Sequence, residues 1–239
     1  MNKLIIGNFK MNKSMEECNE YVNIFQNYGI PEKRIVVLCP PYFALNNYVK
    51  LINNKSNCFV GAQNCSSEKN GSFTGEVSCE MIKSTGARYV IIGHSERRIK
   101  LGETDEIVNE KVKRAIESGL VPIICVGEKL DEISKKKSVL SKQLSISLKN
   151  IDISKIIIAY EPVWAIGTGK TCSLGDIEST HSYIKEKVIK IAGIAPLVVY
   201  GGSVKSSNAS EILKLDAVDG VLVGGASLDP RSMYSIITS

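Results

Sequence analysis

Apolar residues are spaced in two different ways along this chain, and the two alternate. Short, mostly apolar runs recur at Leu4–Asn8, Arg34–Cys39, Cys58–Gln63, Arg88–Gly93, Val121–Val126, Ile156–Tyr160, Leu197–Tyr200 and Gly220–Val223. They are rich in β-branched residues and lack the in–out alternation of a half-exposed strand, so they predict strands buried on both faces, as in a parallel sheet. Between them lie segments with helical spacing. Ser14–Gln26 opens on a capping-box-like Ser-Met-Glu-Glu, Glu103–Ser118 puts Ile107, Val108, Val112 and Ile116 on one face and stops at Gly119, and Asp176–Ile191 repeats that pattern. Shorter helices are predicted at Tyr42–Asn53, Glu76–Ser84, Ile133–Lys149, Ser206–Leu215 and Pro230–Ile237.

Eight strand-like runs, each followed by a helix-like segment, imply right-handed crossovers and a parallel sheet. The expected fold class is α/β, a single-domain (β/α)8 barrel over residues 1–239, with an open doubly wound sheet as the competing arrangement. No linker-like stretch suggests a domain boundary.

Composition narrows the class of protein. Over 239 residues, 44% hydrophobic and 23% charged is the balance of a water-soluble globular chain. The net charge of +5 is too small to point to nucleic acid, though it slightly favours small anionic ligands. Seven Cys without CxxC spacing read as thiols of a reducing compartment, and two His outside any ligand spacing argue against a zinc site. The N-terminal apolar run is too short for a signal peptide, and no run reaches membrane-spanning length. A cytoplasmic protein without metal or cofactor is expected.

Chemistry in such a barrel sits at the C-terminal ends of the strands, and those ends carry the unusual residues. Glu161 follows Ile156–Tyr160 and precedes Pro162, which stiffens the exit. A partly desolvated carboxylate has a raised pKa and can act as a general base; the alternative is a solvated strand-end acid. His94 could polarise a carbonyl through a neutral N–H, or be a structural histidine. Lys10, two residues beyond Asn8, could face an anion or only solvent. Pro162-Val163-Trp164-Ala165-Ile166-Gly167-Thr168-Gly169-Lys170 has an apolar middle, as a lid closing over a ligand would; a loop packed permanently on the rim is the alternative. Gly201-Gly202-Ser203 and Gly224-Gly225 follow the last two strands, where backbone N–H groups can cradle phosphate or merely make tight turns.

Taken together these segments resemble the triosephosphate isomerase family. The resemblance runs in order through Gly7–Asn12, Gly61–Asn64, Asn70–Glu76, Ile92–Arg98, Cys125–Glu128, Ala159–Lys170, Tyr200–Val204 and Val223–Ser227. It implies interconversion of dihydroxyacetone phosphate and D-glyceraldehyde 3-phosphate, a step of glycolysis and gluconeogenesis. By the resemblance, Glu161 is the base, His94 the neutral electrophile and Lys10 the cation that stabilises developing charge, with Asn8 positioning substrate oxygens and Glu96 paired to the lysine. Gly167, Ser203, Gly224 and Gly225 would bind phosphate through backbone N–H groups, and Tyr200 would contact backbone near Cys172 behind the lid. The family is usually a homodimer, in which the loop carrying Phe73 and Thr74 enters the neighbouring subunit.

The chain departs from the family pattern in two places. Glu132–Lys137 lacks the usual Arg-Glu-Ala-Gly, with the span from there to Glu161 a few residues short, and Cys172 replaces a small residue. Neither touches the expected chemistry. The Schiff-base version of another sugar-phosphate enzyme, a lyase or aldolase, would need a lysine in the barrel mouth, for which Lys10 is the only strong candidate, and the resemblance matches it to an electrostatic role instead. A non-catalytic binding barrel would be expected to lose Glu161, His94 or Lys10, and all three are present.

Overall fold

The computed structural model describes residues 2–52, 55–166 and 172–239. Eight parallel strands close into one barrel in chain order: β1 (Lys3–Asn8), β2 (Arg34–Cys39), β3 (Cys58–Ala62), β4 (Tyr89–Ile92), β5 (Val121–Val126), β6 (Ile157–Tyr160), β7 (Leu197–Tyr200) and β8 (Gly220–Val223). β8 pairs with β1 to complete the ring, Leu4 opposite Gly220. That closure requires glycine: a Cβ on Gly220 would stand 2.0 Å from the Leu4 carbonyl oxygen.

The lack of alternation in the strand sequences now has its reason. Side chains on a strand point to opposite faces, and both faces are dry. Leu4 and Ile6 of β1 join Val37, Ile91, Ile123, Ile157 and Leu222 inside the barrel. Ile5, Val36, Leu38, Val90 and Ile92 point outward into the layer between barrel and helices.

The helices are α1 (Met15–Phe25), α2 (Leu45–Ile52), α3 (Cys79–Ser84), α4 (Ser95–Lys100), α5 (Asp105–Glu117), α6 (Lys136–Ser147), α7 (Leu174–Ala192), α8 (Ala209–Leu213) and α9 (Pro230–Thr238). Their starts are written in the sequence. Ser14, Ser78, Thr104, Ser173 and Asp229 each accept a backbone N–H from the first turn, and Ser14 with Glu17 completes the expected capping box. Gly193 ends α7 at φ 79°.

The structure trims several expected helices. Glu76–Ser84 shortens to α3 because Ser78 supplies the cap, and Ser206–Leu215 shortens to α8, whose N-cap Asn208 makes no side-chain cap bond. Tyr42–Asn53 divides into a 3₁₀ turn at Tyr42–Ala44 and α2, with Asn53 outside the described residues. Ile133–Lys149 begins as a 3₁₀ turn at Leu130–Lys135 before α6. The additional helix α4 stands directly after β4, where the sequence shows only a polar cluster too short for a readable period.

Candidate active site

The polar strand ends gather at one mouth of the barrel. Strand β1 ends in Asn8, whose Oδ1 accepts the Lys10 backbone N–H at 3.0 Å. Asn12 Nδ2 donates to the Phe9 carbonyl at 2.7 Å. These two bonds hold a tight turn in which Lys10 adopts φ 54°, a region that non-glycine residues rarely occupy. The strained backbone sends the lysine side chain over the mouth, where Nζ meets Glu96 Oε1 at 2.6 Å.

After β4, His94 serves as N-cap of α4. Its Nδ1 accepts the Glu96 N–H at 3.2 Å, which places the ring's proton on Nε2. Arg98 fixes this turn. It donates to the Gly93 carbonyl at 2.8 Å, to Asp105 Oδ1 at 2.6 Å and to the Cys125 carbonyl at 3.2 Å, tying α4 to β4, α5 and β5.

After β6, Glu161 is almost wholly buried. Its N–H donates to the Val126 carbonyl at 2.8 Å, and its Oε2 accepts the Ser95 N–H at 2.9 Å. Oε1 lies 2.9 Å from His94 Nε2, so carboxylate and ring are held in direct contact. Gly127 makes room for this backbone, since a Cβ there would stand 1.7 Å from the Glu161 carbonyl oxygen.

Electrostatics corrects one expectation. Burial pushes the Glu161 pKa up, as a desolvated carboxylate suggests, but His94, the Ser95 N–H and Lys10 together outweigh it. The carboxyl therefore sits below its ordinary value and is a carboxylate ready to accept a proton. At His94, burial pulls the pKa down while Glu161 pushes it up more strongly, with a net rise. The N–H entering Nδ1 opposes that rise, because an imidazolium would need a hydrogen in the same place. We take the ring as neutral with Nε2–H whenever another group separates it from the carboxylate.

Asn8, Lys10, His94, Glu161, Ser203, Gly224 and Gly225 all line one cavity of about 420 Å³. All expected residues of the mouth except Gly167 are thus brought together. Gly167, Thr168, Gly169 and Lys170 lie outside the described residues. The lid's beginning is described: Pro162 leads into a 3₁₀ turn at Val163–Ala165, and Ile166 reaches the cavity. Buried Glu128 anchors this turn, accepting from Trp164 Nε1 at 2.9 Å and Tyr160 Oη at 3.1 Å on one carboxylate oxygen. Beyond the lid, the Tyr200 hydroxyl interacts with the Cys172 backbone, the return contact expected there. Phe73 and Thr74 are exposed on the loop after β3.

Sequence reasoning assigned no role to Ser95, Arg98, Gly127 or Glu128, although each stands in a segment that it singled out. Their work is to hold other groups by backbone or buried contacts, which residue type alone does not announce.

A closed eight-stranded parallel barrel with carboxylate, imidazole and lysine converging on a glycine-walled cavity defines a (β/α)8-barrel enzyme. A family model described as triosephosphate isomerase matches residues 3–239. Similar proteins include the triosephosphate isomerases of Mycoplasmopsis pulmonis (44% identical, 98% of this chain and 96% of that protein), Aquifex aeolicus (41%, 100% of both) and Alkaliphilus metalliredigens (44%, 98% of both). The chain belongs to the triosephosphate isomerase family and is an isomerase.

Proposed function

We propose that the protein interconverts dihydroxyacetone phosphate and D-glyceraldehyde 3-phosphate through an enediolate. The observation that carries this reading is the convergence of a buried carboxylate, an Nε2–H imidazole and an ammonium group on one cavity. Glu161 removes a proton from the carbon beside the carbonyl, and the C–H electron pair moves into the new C=C bond while the carbonyl oxygen takes up negative charge. His94 polarises that oxygen through Nε2–H and shuttles a proton between the two oxygens. Protonated Glu161 then returns its proton to the neighbouring carbon. No redox partner enters the balance.

Lys10 supplies a fixed positive charge to the developing enediolate, and Glu96 holds the ammonium in place. Asn8 sets the Lys10 turn and borders the substrate oxygens. The phosphate is bound by backbone N–H groups of Gly167, Ser203, Gly224 and Gly225. The segment 162–170 closes over the intermediate and excludes water, which would otherwise promote loss of phosphate.

The working form is a homodimer in which the loop carrying Phe73 and Thr74 enters the neighbouring subunit. In support, Met11, next to Lys10, is 99% exposed, and Phe43, Phe73 and Met81 are also exposed, an apolar surface suited to an interface. The place of action is the cytoplasm; no helix among the described residues is long and apolar enough to cross a membrane. Dihydroxyacetone phosphate supplied to purified protein, with glyceraldehyde 3-phosphate read by a coupled assay, should give turnover. Its absence at a concentration where the dimer forms overturns the reading.

A further inference from the structure

Outside the mouth, two of the seven cysteines meet. Cys65 lies at the start of the loop after β3, and Cys79 is the first residue of α3. The Ser66 N–H donates to the Val77 carbonyl at 2.8 Å, closing the intervening loop at its base and bringing its two flanks side by side. The Cys65 and Cys79 side chains hydrogen-bond to each other. Both residues are buried, yet Cys79 also borders a small surface cavity with Lys69, Glu80 and Arg114. Its rim is loosely held, because the Lys69–Glu80 ion pair at 3.4 Å is exposed on both sides.

The two thiols are electronically unequal. The hydrogen bond from Cys65 holds Cys79 below the ordinary thiol range against the cost of burial, helped by Lys111 and Arg114. The same bond, and burial, push Cys65 up. For Cys18, Cys39, Cys58, Cys125 and Cys172 burial raises the pKa, so these thiols are poor nucleophiles.

We propose that Cys65 and Cys79 form a modification site, a dithiol that exchanges with a small organic disulfide and becomes a disulfide stapling the 66–78 loop. The Cys79 thiolate attacks one sulfur of the small disulfide, forming a mixed disulfide and releasing one thiolate, which takes up a proton. The Cys65 thiolate then attacks the Cys79 sulfur, forming the protein disulfide and releasing the second small thiol. Two protein thiols are oxidised and one small disulfide is reduced to two thiols. The stapled segment carries Phe73 and Thr74, so the oxidation state of the pair sets the freedom of a loop that projects from the barrel.

The test treats the full chain with oxidised glutathione, blocks remaining thiols with N-ethylmaleimide and maps the cysteines by mass spectrometry. The readout is a covalent bond and does not depend on turnover. Free thiols should fall from seven to five, with a Cys65–Cys79 linkage that a reductant reverses. Cys65→Ser should stop at a stable glutathione adduct on Cys79. Cys79→Ser should react more slowly by at least about tenfold, having lost the more nucleophilic thiol; Cys79→Ala makes the same comparison if serine at this helix start prevents folding. Seven thiols retained in the treated native protein, a linkage to any other cysteine, or undiminished reaction of the Cys79 variant overturns the proposal.

Discussion

The two ends of this barrel use charged residues in opposite ways. At the N-terminal end of the strands, Lys3, Arg34, Asp219 and Lys185 each have fixed partners. Lys3 Nζ donates to the Leu215 and Val218 carbonyls at 3.2 and 2.5 Å, Arg34 to the carbonyls of Ile237 and Ser239 at 3.0 and 2.5 Å. Asp219 accepts the Val198 N–H at 2.7 Å and pairs with Lys185 at 2.8 Å. These contacts knit the chain's beginning and end into the ring. At the C-terminal mouth, the buried Glu161 carboxylate has the His94 ring as its neighbour, both line a cavity, and Lys10 stands on strained backbone. A satisfied charge stabilises a fold, whereas one held in place with bonding capacity left over can stabilise something that arrives. The same strands support both ends because their dry middles fix the separation.

The largest test of that division is Glu161→Asp. Drawing the carboxylate back by one methylene should lower kcat by about 100-fold or more while KM changes only a few-fold. Steady-state kinetics decides it, and an unchanged kcat removes Glu161 as the base. Asp219→Ala should do the reverse. Leaving Lys185 and the Val198 N–H without their partner should cost roughly 3 kcal/mol and lower the thermal midpoint by roughly 6 to 12 °C. kcat/KM measured below the transition should stay within about twofold, and a large loss of turnover would break the separation between the two ends.

A pH-dependent effect involves His181 of α7. Its ring is fully buried beside Tyr160 and Tyr200, with the backbone of Ala217 and Val198 as its polar neighbours. Burial, with Lys185, lowers its pKa to about 3. Below the unfolded value of about 6.5, the unfolded chain binds a proton that the native ring refuses. Stability is therefore full above that pH and is lost as pH falls toward about 3, by up to roughly 1.4 kcal/mol per unit. Denaturant melts from pH 7 to 4 should show His181→Phe losing less stability than the parent chain, and parallel curves would contradict this. The smallest effect is expected at Cys172→Ala. The Tyr200 contact there is to backbone, so turnover and lid kinetics should not change; a large change in either would show that the thiol itself matters.

The strands could be read from the chain because each carries its own reason: an unbroken apolar run says that both faces are dry. Helices α1, α5 and α7 could be read from their apolar spacing, and α1 also from its Ser14 cap, whereas Thr104 and Ser173 emerge as caps only in the structure. Helix α4 could not, since six residues hold no period and its cap is a histidine side chain. In the candidate site, Glu161, His94, Lys10 and the glycine pairs were visible as residue types that are out of place after apolar runs. Ser95 and Gly127 were not, because one acts through its backbone N–H and the other through the Cβ it lacks. The ionisation of Glu161 was misread for a related reason. Burial follows from the sequence, but the counteracting His94, Ser95 and Lys10 come from other strands.

By itself, then, the sequence determined the alternation of strand and helix, the eight-unit count and which residues stand at the strand ends, all set by hydrophobic periodicity and local capping over a few residues. Only the tertiary structure decided which of those strand ends meet, which nitrogen of His94 carries the proton, which way the Glu161 pKa moves and that Cys65 touches Cys79. Each depends on groups separated along the chain and brought together by the fold, where electrostatic and hydrogen-bonding energies become large.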